Sequence, residues 1–134
     1  MVLVDTNVLV DVLQGDPHWR DWSAQALQAQ IRLHTLVIDS VCYAELSMGY
    51  ATPALLESAL ERIEVEVHPT PQAALFLAGR AFLDYRRRGG TKMGVLPDFF
   101  IGAHAATRGV NLLTRDPQRY KTYFPSVQLI SPHQ

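Results

Sequence analysis

The run MVLVDTNVLVDVLQG, residues 1–15, decides the fold. Val2, Leu3 and Val4 are apolar without alternation, the pattern of a strand buried on both faces. Asp5 ends the run. Val8, Leu9 and Val12 then recur at helical spacing, and Gly15 closes a helix of about two turns. A buried strand that passes into a helix through an acidic residue opens an α/β fold with a mostly parallel sheet.

The alternation continues along the chain. Asp16-Pro17 predicts a second helix, with Asp16 as N-cap, proline in the first turn, and Trp19, Trp22, Ala26 and Leu27 on its apolar positions. His34 to Ile38 predicts the second strand. Asp39-Ser40 caps a helix carrying Val41, Ala44, Glu45 and Met48, and Thr52-Pro53 starts another. Val65 and Val67 mark a third strand. Thr70-Pro71 repeats the cap-plus-proline signal for a long helix to Arg88, which Gly89-Gly90 ends. Thr91 to Leu96 is a loop, Asp98 to Arg108 a helix stopped by Gly109, and Val110 to Thr114 a fourth strand. Asp116-Pro117 starts a short helical turn, and Val127 to Ile130 is the last strand.

The 134 residues predict one domain, 1–134, without repeat, linker or low-complexity segment. At 48% hydrophobic the chain can bury a real core, yet no run reaches the ~20 apolar residues of a membrane span. The N-terminus lacks a basic segment, so a cytoplasmic protein is expected. Cys42, the only cysteine, excludes a disulfide framework and a thiolate zinc site. No P-loop or dinucleotide fingerprint occurs. The net charge of −1 hides an asymmetry: residues 1–79 hold three Arg against ten Asp and Glu, and residues 80–134 hold nine Lys and Arg against three Asp. Such a split marks either a polyanion-binding surface or complementary faces of a dimer.

Four acids lie outside ordinary solvated charge runs: Asp5, Glu45, Asp98 and Asp116. In a parallel sheet, Asp5 and Asp116 fall at the carboxyl ends of the first and fourth strands, where ligands bind. On its helix, Glu45 shares a sector with Val41, Ala44 and Met48. Asp98 lines up with Ile101, Gly102 and Ala105, and Gly102, Ala105 and Ala106 would let its helix approach the sheet closely. Singly, Asp5 and Asp116 would serve as caps, and Asp98 as a first-turn acid favoured by the helix dipole. Clustered carboxylates raise one another's pKa values, and a divalent cation removes that penalty. Oxygen-only ligands favour Mg²⁺, with Mn²⁺ as a substitute, over zinc.

The segments LVDTNVLVD (3–11), AEL (44–46), LPDFFIGAHA (96–105) and LLTRDPQRY (112–120) resemble, in order and over essentially the whole chain, the PIN-domain nucleases, and within them the VapC-type ribonuclease toxins. The resemblance implies a three-layer α/β/α fold around a mostly parallel sheet of four to five strands. It implies Asp5 and Asp98 as principal metal ligands, with Glu45 and Asp116 completing the catalytic set directly or through water. Thr6 and Asn7 match positions that orient the first acid, and Thr114 the hydroxyl two residues before the last. The implied activity is Mg²⁺-dependent endoribonuclease cleavage of structured RNA, of the tRNA or rRNA class, by metal-activated water. The implied partners are a second copy in a homodimer and a small VapB-type antitoxin whose C-terminal segment, often carrying an Arg, reaches the acidic pocket. Trp19 and Trp22 either line a groove for it or belong to the core.

Arg86, Arg87, Arg88 and Lys92 form the densest basic stretch. They either offset a helix dipole or contact RNA phosphates beside the site. Arg115 and Arg119 flank Asp116, where they would contact RNA backbone or, for Arg115, pair with a site carboxylate. The five histidines (His18, His34, His68, His104 and His133) lack metal-ligand spacing and read as structural or surface groups. Two rivals remain: a non-catalytic RNA-binding module with the same fold, and a receiver- or phosphatase-like domain phosphorylated on Asp5. The second fits poorly, because a haloacid-dehalogenase-type site wants an acid where Asn7 stands.

Overall fold

The opening strand forms as Val2–Val4 (β1) and runs directly into the helix Thr6–Leu13 (α1) in the computed structural model, which describes residues 1–132. There follow α2 (Arg20–Ile31), β2 (Leu36–Ile38), α3 (Ser40–Ser47), α4 (Pro53–Arg62), β3 (Val65–Val67), α5 (Gln72–Arg87), α6 (Leu96–Arg108), β4 (Asn111–Leu113), α7 (Gln118–Tyr123) and β5 (Leu129–Ile130). The strands pair in the order β3-β2-β1-β4-β5, and every pair is parallel. The sheet is thus wholly parallel, with β1 at its centre. His133 lies outside the described residues.

Side-chain alternation along the strands divides the core into two layers. Val2, Val4, Leu36, Ile38 and Leu113 pack with Val8, Leu9, Leu27, Cys42, Leu46, Leu56 and Leu60 of α1–α4. Leu3, Val37 and Leu112 pack on the other face with Ala74, Ala78, Phe99, Ile101, Tyr120 and Phe124 of α5–α7. Burial on both faces is why the strands read as unbroken apolar runs. No helix among the described residues is long and apolar enough to cross a membrane.

The strand order reverses between β1 and β4, and the register sets Val4 beside Leu113. Asp5 and Thr114, the next residues, therefore emerge side by side at the carboxyl edge, tied by a 2.8 Å bond from Asp5 N to Leu113 O. Ligands of open parallel sheets bind at such a switch point.

Several local expectations are corrected. Asp16 does cap, but its Oδ1 accepts from His18 N and Trp19 N to close a turn, and α2 begins only at Arg20. Its buried positions are Ser23 and Leu27, while Trp22 packs against the core edge and Trp19 meets it edge-to-face at 6.2 Å. In α3 the buried residues are Cys42 and Leu46, and Met48 is 83% exposed. The core stripe is therefore one residue step, ~100°, from the one expected. Glu45 lies half-buried on the flank of α3, not on its apolar face. Thr70 does not cap α5: Pro71 holds the N-cap position, and Thr70 Oγ1 has no partner among the described residues. Helix α6 starts at Leu96, two residues early, and ends as expected at Gly109, whose φ of 64° is left-handed.

Gly102 serves a different contact from the one expected. A Cβ there would lie 2.4 Å from Phe124 and 3.0 Å from Tyr120, so the missing side chain admits the aromatic rings beside α7. Gly102→Ala is expected to destabilise the protein by about 1–3 kcal/mol through overpacking. Gly79→Ala, mid-helix in α5 with nothing within 4 Å of its Cβ, is expected to stabilise it by up to about 1 kcal/mol. Urea unfolding of the two variants checks both signs.

Candidate active site

Asp5 occupies the N-cap position of α1 but makes no side-chain cap bond. Its carboxylate turns to the sheet edge and is 3% exposed. Three donors converge on one oxygen, Oδ2: Thr114 Oγ1 at 2.8 Å, Tyr120 OH at 2.8 Å and Asn7 Nδ2 at 3.3 Å. The other oxygen, Oδ1, accepts no bond among the described residues. Burial, reinforced by the charge of Asp98, lifts the Asp5 pKa from 3.8 to about 7 against the pull of those bonds. Burial and the charges of Asp5 and Asp98 also push Tyr120 well above 10, so it stays a donor.

Asp116 is not a cap either, since Pro117 holds the N-cap position of α7. Its Oδ2 accepts from Asn7 Nδ2 and Arg115 Nη1, both at 3.3 Å, while its backbone N–H donates to Thr114 Oγ1. Asn7 thus bridges Asp5 and Asp116, and Thr114 fixes both. Asp98 lies in the first turn of α6, its carboxyl raised chiefly by burial, and takes Arg119 Nη1 on Oδ2 at 2.6 Å. Glu45 is raised chiefly by burial too, and Thr6 Oγ1 donates to its Oε1 at 2.6 Å. Thr6 therefore orients Glu45, not Asp5 as expected.

Asp5, Asn7, Asp98, Arg115, Asp116 and Arg119 line one cleft of ≈ 590 Å³, walled on another side by Tyr85 and Tyr123. Glu45 is not among its walls, though its charge contributes to the raised pKa of Asp5. Of the residues expected to contact RNA, Arg115 and Arg119 line the cleft, and Arg86, Arg87, Arg88 and Lys92 do not. Arg88 lies 5.4 Å over the ring of the wall residue Tyr123 and pairs with Asp84 at 3.1 Å. Arg86 lies against Met93 and Phe82, and Arg87 and Lys92 are exposed.

Tyr120, Asp11 and Arg119 carry contacts that sequence reasoning underweighted. Asp11, 1% exposed, accepts Ser23 Oγ and Arg115 Nε on Oδ2, each at 2.8 Å. An acid inside the apolar run VLVDVL was the available signal. Tyr120 stands four residues past Asp116, one turn along α7, but a tyrosine carries no charge to attract notice. His104 is a structural group, 2% exposed, with Nδ1 3.4 Å from Oδ2 of the buried cap Asp39. Burial pushes the Cys42 thiol pKa up, which leaves it inert.

The residues fit a hard divalent cation in chemistry more than in finished geometry. The donors are oxygens, Asp5 keeps one oxygen without a donor among the described residues, and three neighbouring acids are pushed toward protonation chiefly by burial. Yet no three His, Cys, Asp or Glu among the described residues converge as a ready cage. Mg²⁺ needs none: it is commonly held by one or two carboxylates plus waters, which Asp5 and Asp98 can supply.

The sequence model of the PIN-domain family matches residues 2–125. Among solved structures, VapBC2 from Rickettsia felis bound to a promoter DNA fragment superposes with a TM-score of 0.73 at 20% identity, covering 98% of each chain. A toxin–antitoxin complex from Klebsiella pneumoniae gives 0.72 at 21%, covering 100% of this chain and 99% of that one. FitAcB from Neisseria gonorrhoeae gives 0.69 at 20%, covering 100% of both. These likenesses establish the fold. No curated protein matches the chain.

The raised Asp5 pKa has a definite sign. The folded protein holds the Asp5 proton up to about pH 7, whereas the unfolded chain releases it near 3.8. Stability of the metal-free protein, full below that lower value, should therefore fall by about 2–4 kcal/mol as pH rises to about 7. Asp5→Asn keeps an acceptor for the three donors and should remove most of that slope. Urea unfolding in EDTA from pH 4 to 8 checks both.

Proposed function

The chain belongs to the PIN-domain family, and on that premise we propose that it is a divalent-metal-dependent endoribonuclease, the toxin of a type II toxin–antitoxin pair, cleaving structured RNA of the tRNA or rRNA class. One observation carries the reading. Asp5 and Asp98 share a cleft with two arginines, and each acid is pushed toward protonation by burial in the absence of a cation. Such a site suits a substrate that brings a phosphate together with Mg²⁺, or Mn²⁺ in its place. The toxin role, a small antitoxin partner and a homodimer extend the same proposal. Its support is that similar folds occur in complexes described as VapBC, FitAcB and toxin–antitoxin.

The chain's own groups have assignable tasks. Thr114, Tyr120 and Asn7 hold Oδ2 of Asp5, which leaves Oδ1 for the cation. Asp98 supplies the second direct carboxylate. Glu45, fixed by Thr6, and Asp116, fixed by Asn7, tune the field or hold water. Arg115 presents a guanidinium at the cleft wall toward RNA phosphate. Asp5 and Asp98 would hold the cation, which would supply charge neutralisation and lower the pKa of an attacking water; the expected products are 5′-phosphate and 3′-hydroxyl ends. Arg88, over the Tyr123 ring, adds a salt-sensitive, sequence-independent contact.

The Asp98–Arg119 pair and the unformed cage favour one rival, a non-catalytic RNA-binding module. Cleavage of a tRNA and rRNA mixture separates the two. The purified protein is expected to cut RNA with Mg²⁺ and stop in EDTA. Asp98→Asn is expected to lose at least about 100-fold in rate with an unchanged circular-dichroism spectrum. RNA binding without cleavage in either Mg²⁺ or Mn²⁺, or a fully active Asp98→Asn protein, would overturn the assignment.

A further inference from the structure

Two arginines stand on either side of Asp116, and they are held differently. Arg115 is pinned: Nε lies 2.8 Å from the buried Asp11, Nη1 3.3 Å from Asp116, and the guanidinium 5.5 Å over the Trp19 ring. Arg119 has a single partner among the described residues, Oδ2 of Asp98 at 2.6 Å. That carboxylate is one of the two expected to hold the cation.

A guanidinium and a divalent cation on one carboxylate repel each other at that range, whichever oxygen each takes. When the cation takes Asp98, Arg119 loses the partner that holds it. Oδ2 of Asp5 already receives three donors, and Oδ2 of Asp116 two, one of them from Arg115. An incoming RNA phosphate in the cleft offers the released guanidinium an anion with no prior partner. The second position of the short helix α7 keeps Arg119 on the cleft wall throughout.

We propose that Arg119 is an exchangeable counter-ion: it holds Asp98 in the metal-free protein, yields that carboxylate to the divalent cation, and then takes a non-bridging oxygen of the RNA phosphate. The pair thus keeps Asp98 neutralised when no metal is present, and metal binding arms the phosphate contact. The inference rests on the metal-dependent ribonuclease reading and extends it to a residue with two successive partners.

The test has one arm without turnover and one with it. Calorimetric Mn²⁺ titration of the RNA-free protein compares wild type with Arg119→Met and with Arg119→Gln, a second variant should the first fold poorly. Both variants are expected to bind Mn²⁺ roughly threefold to tenfold more tightly, the scale of one partly exposed ion pair. In saturating Mg²⁺, both are expected to lose at least about tenfold in kcat/KM on RNA. Equal or weaker Mn²⁺ affinity in the folded variants overturns the proposal, and so does tighter metal binding with unchanged kcat/KM. Absence of Mn²⁺ binding in every protein overturns it together with the metal requirement. A wild type that binds Mn²⁺ but cleaves no RNA defeats the ribonuclease reading and, with it, the phosphate half of the proposal, while the affinity comparison still decides the Asp98 half.

Discussion

A carboxylate buried where the central strand meets its helix is the constraint around which the site is built. Asp5 is 3% exposed, so each polar atom of its surroundings must be accounted for. Thr114 reaches it from the end of the neighbouring strand, Tyr120 from α7 and Asn7 from the first turn of α1. Gly102 on α6 makes room for Tyr120 and Phe124, so the packing of one helix reaches the acid through the ring that bonds it. Core, sheet edge and cleft are therefore coupled through few contacts. The donors all serve one oxygen, and the carboxyl still rises to about 7. Neutral hydrogen bonds do not offset both burial and the nearby charge of Asp98.

The surrounding charges form a graded set. Asp11 is buried and paired with Arg115 at 2.8 Å, which ties that arginine to the framework. Asp116 is 70% exposed at the side chain and bridges to Asn7 and Arg115 at the mouth. Asp98 lies between these extremes, half-buried and paired with a guanidinium that has no other partner among the described residues. A site arranged this way tolerates its own negative charge before a ligand arrives. The sequence-level split between an acidic first part and a basic second part has a local counterpart here: Asp5 comes from the first, and Arg115 and Arg119 from the second.

The parallel sheet and the place of Asp5 and Asp116 at the carboxyl ends of their strands were legible because strand ends are encoded locally, while the helical layers came with the family resemblance. What escaped depended on rotation and side-chain reach. Two stripes of α3 were both apolar enough to face inward, and only packing chose Cys42 and Leu46 over Val41, Ala44 and Met48. Glu45 was singled out for a face it does not occupy, yet it stands near enough to act on Asp5. Tyr120 and the pairing of Arg119 with Asp98 escaped because a hydrogen bond spanning 115 positions and an ion pair spanning 21 leave no periodic trace. Thr70-Pro71 showed the limit of motif reading: the same signal caps α4 at Thr52 but leaves the Thr70 hydroxyl without a partner among the described residues.

The central claim is that Asp5 is a carboxylate awaiting a cation. Carbon-detected NMR titration of its side-chain carboxyl, in EDTA and again in excess Mg²⁺, tests it most directly. The expected result is a midpoint of about 7 without metal and a fall of at least about one pH unit with Mg²⁺. A midpoint near 4 in both conditions, or one near 7 that Mg²⁺ does not move, would contradict the account.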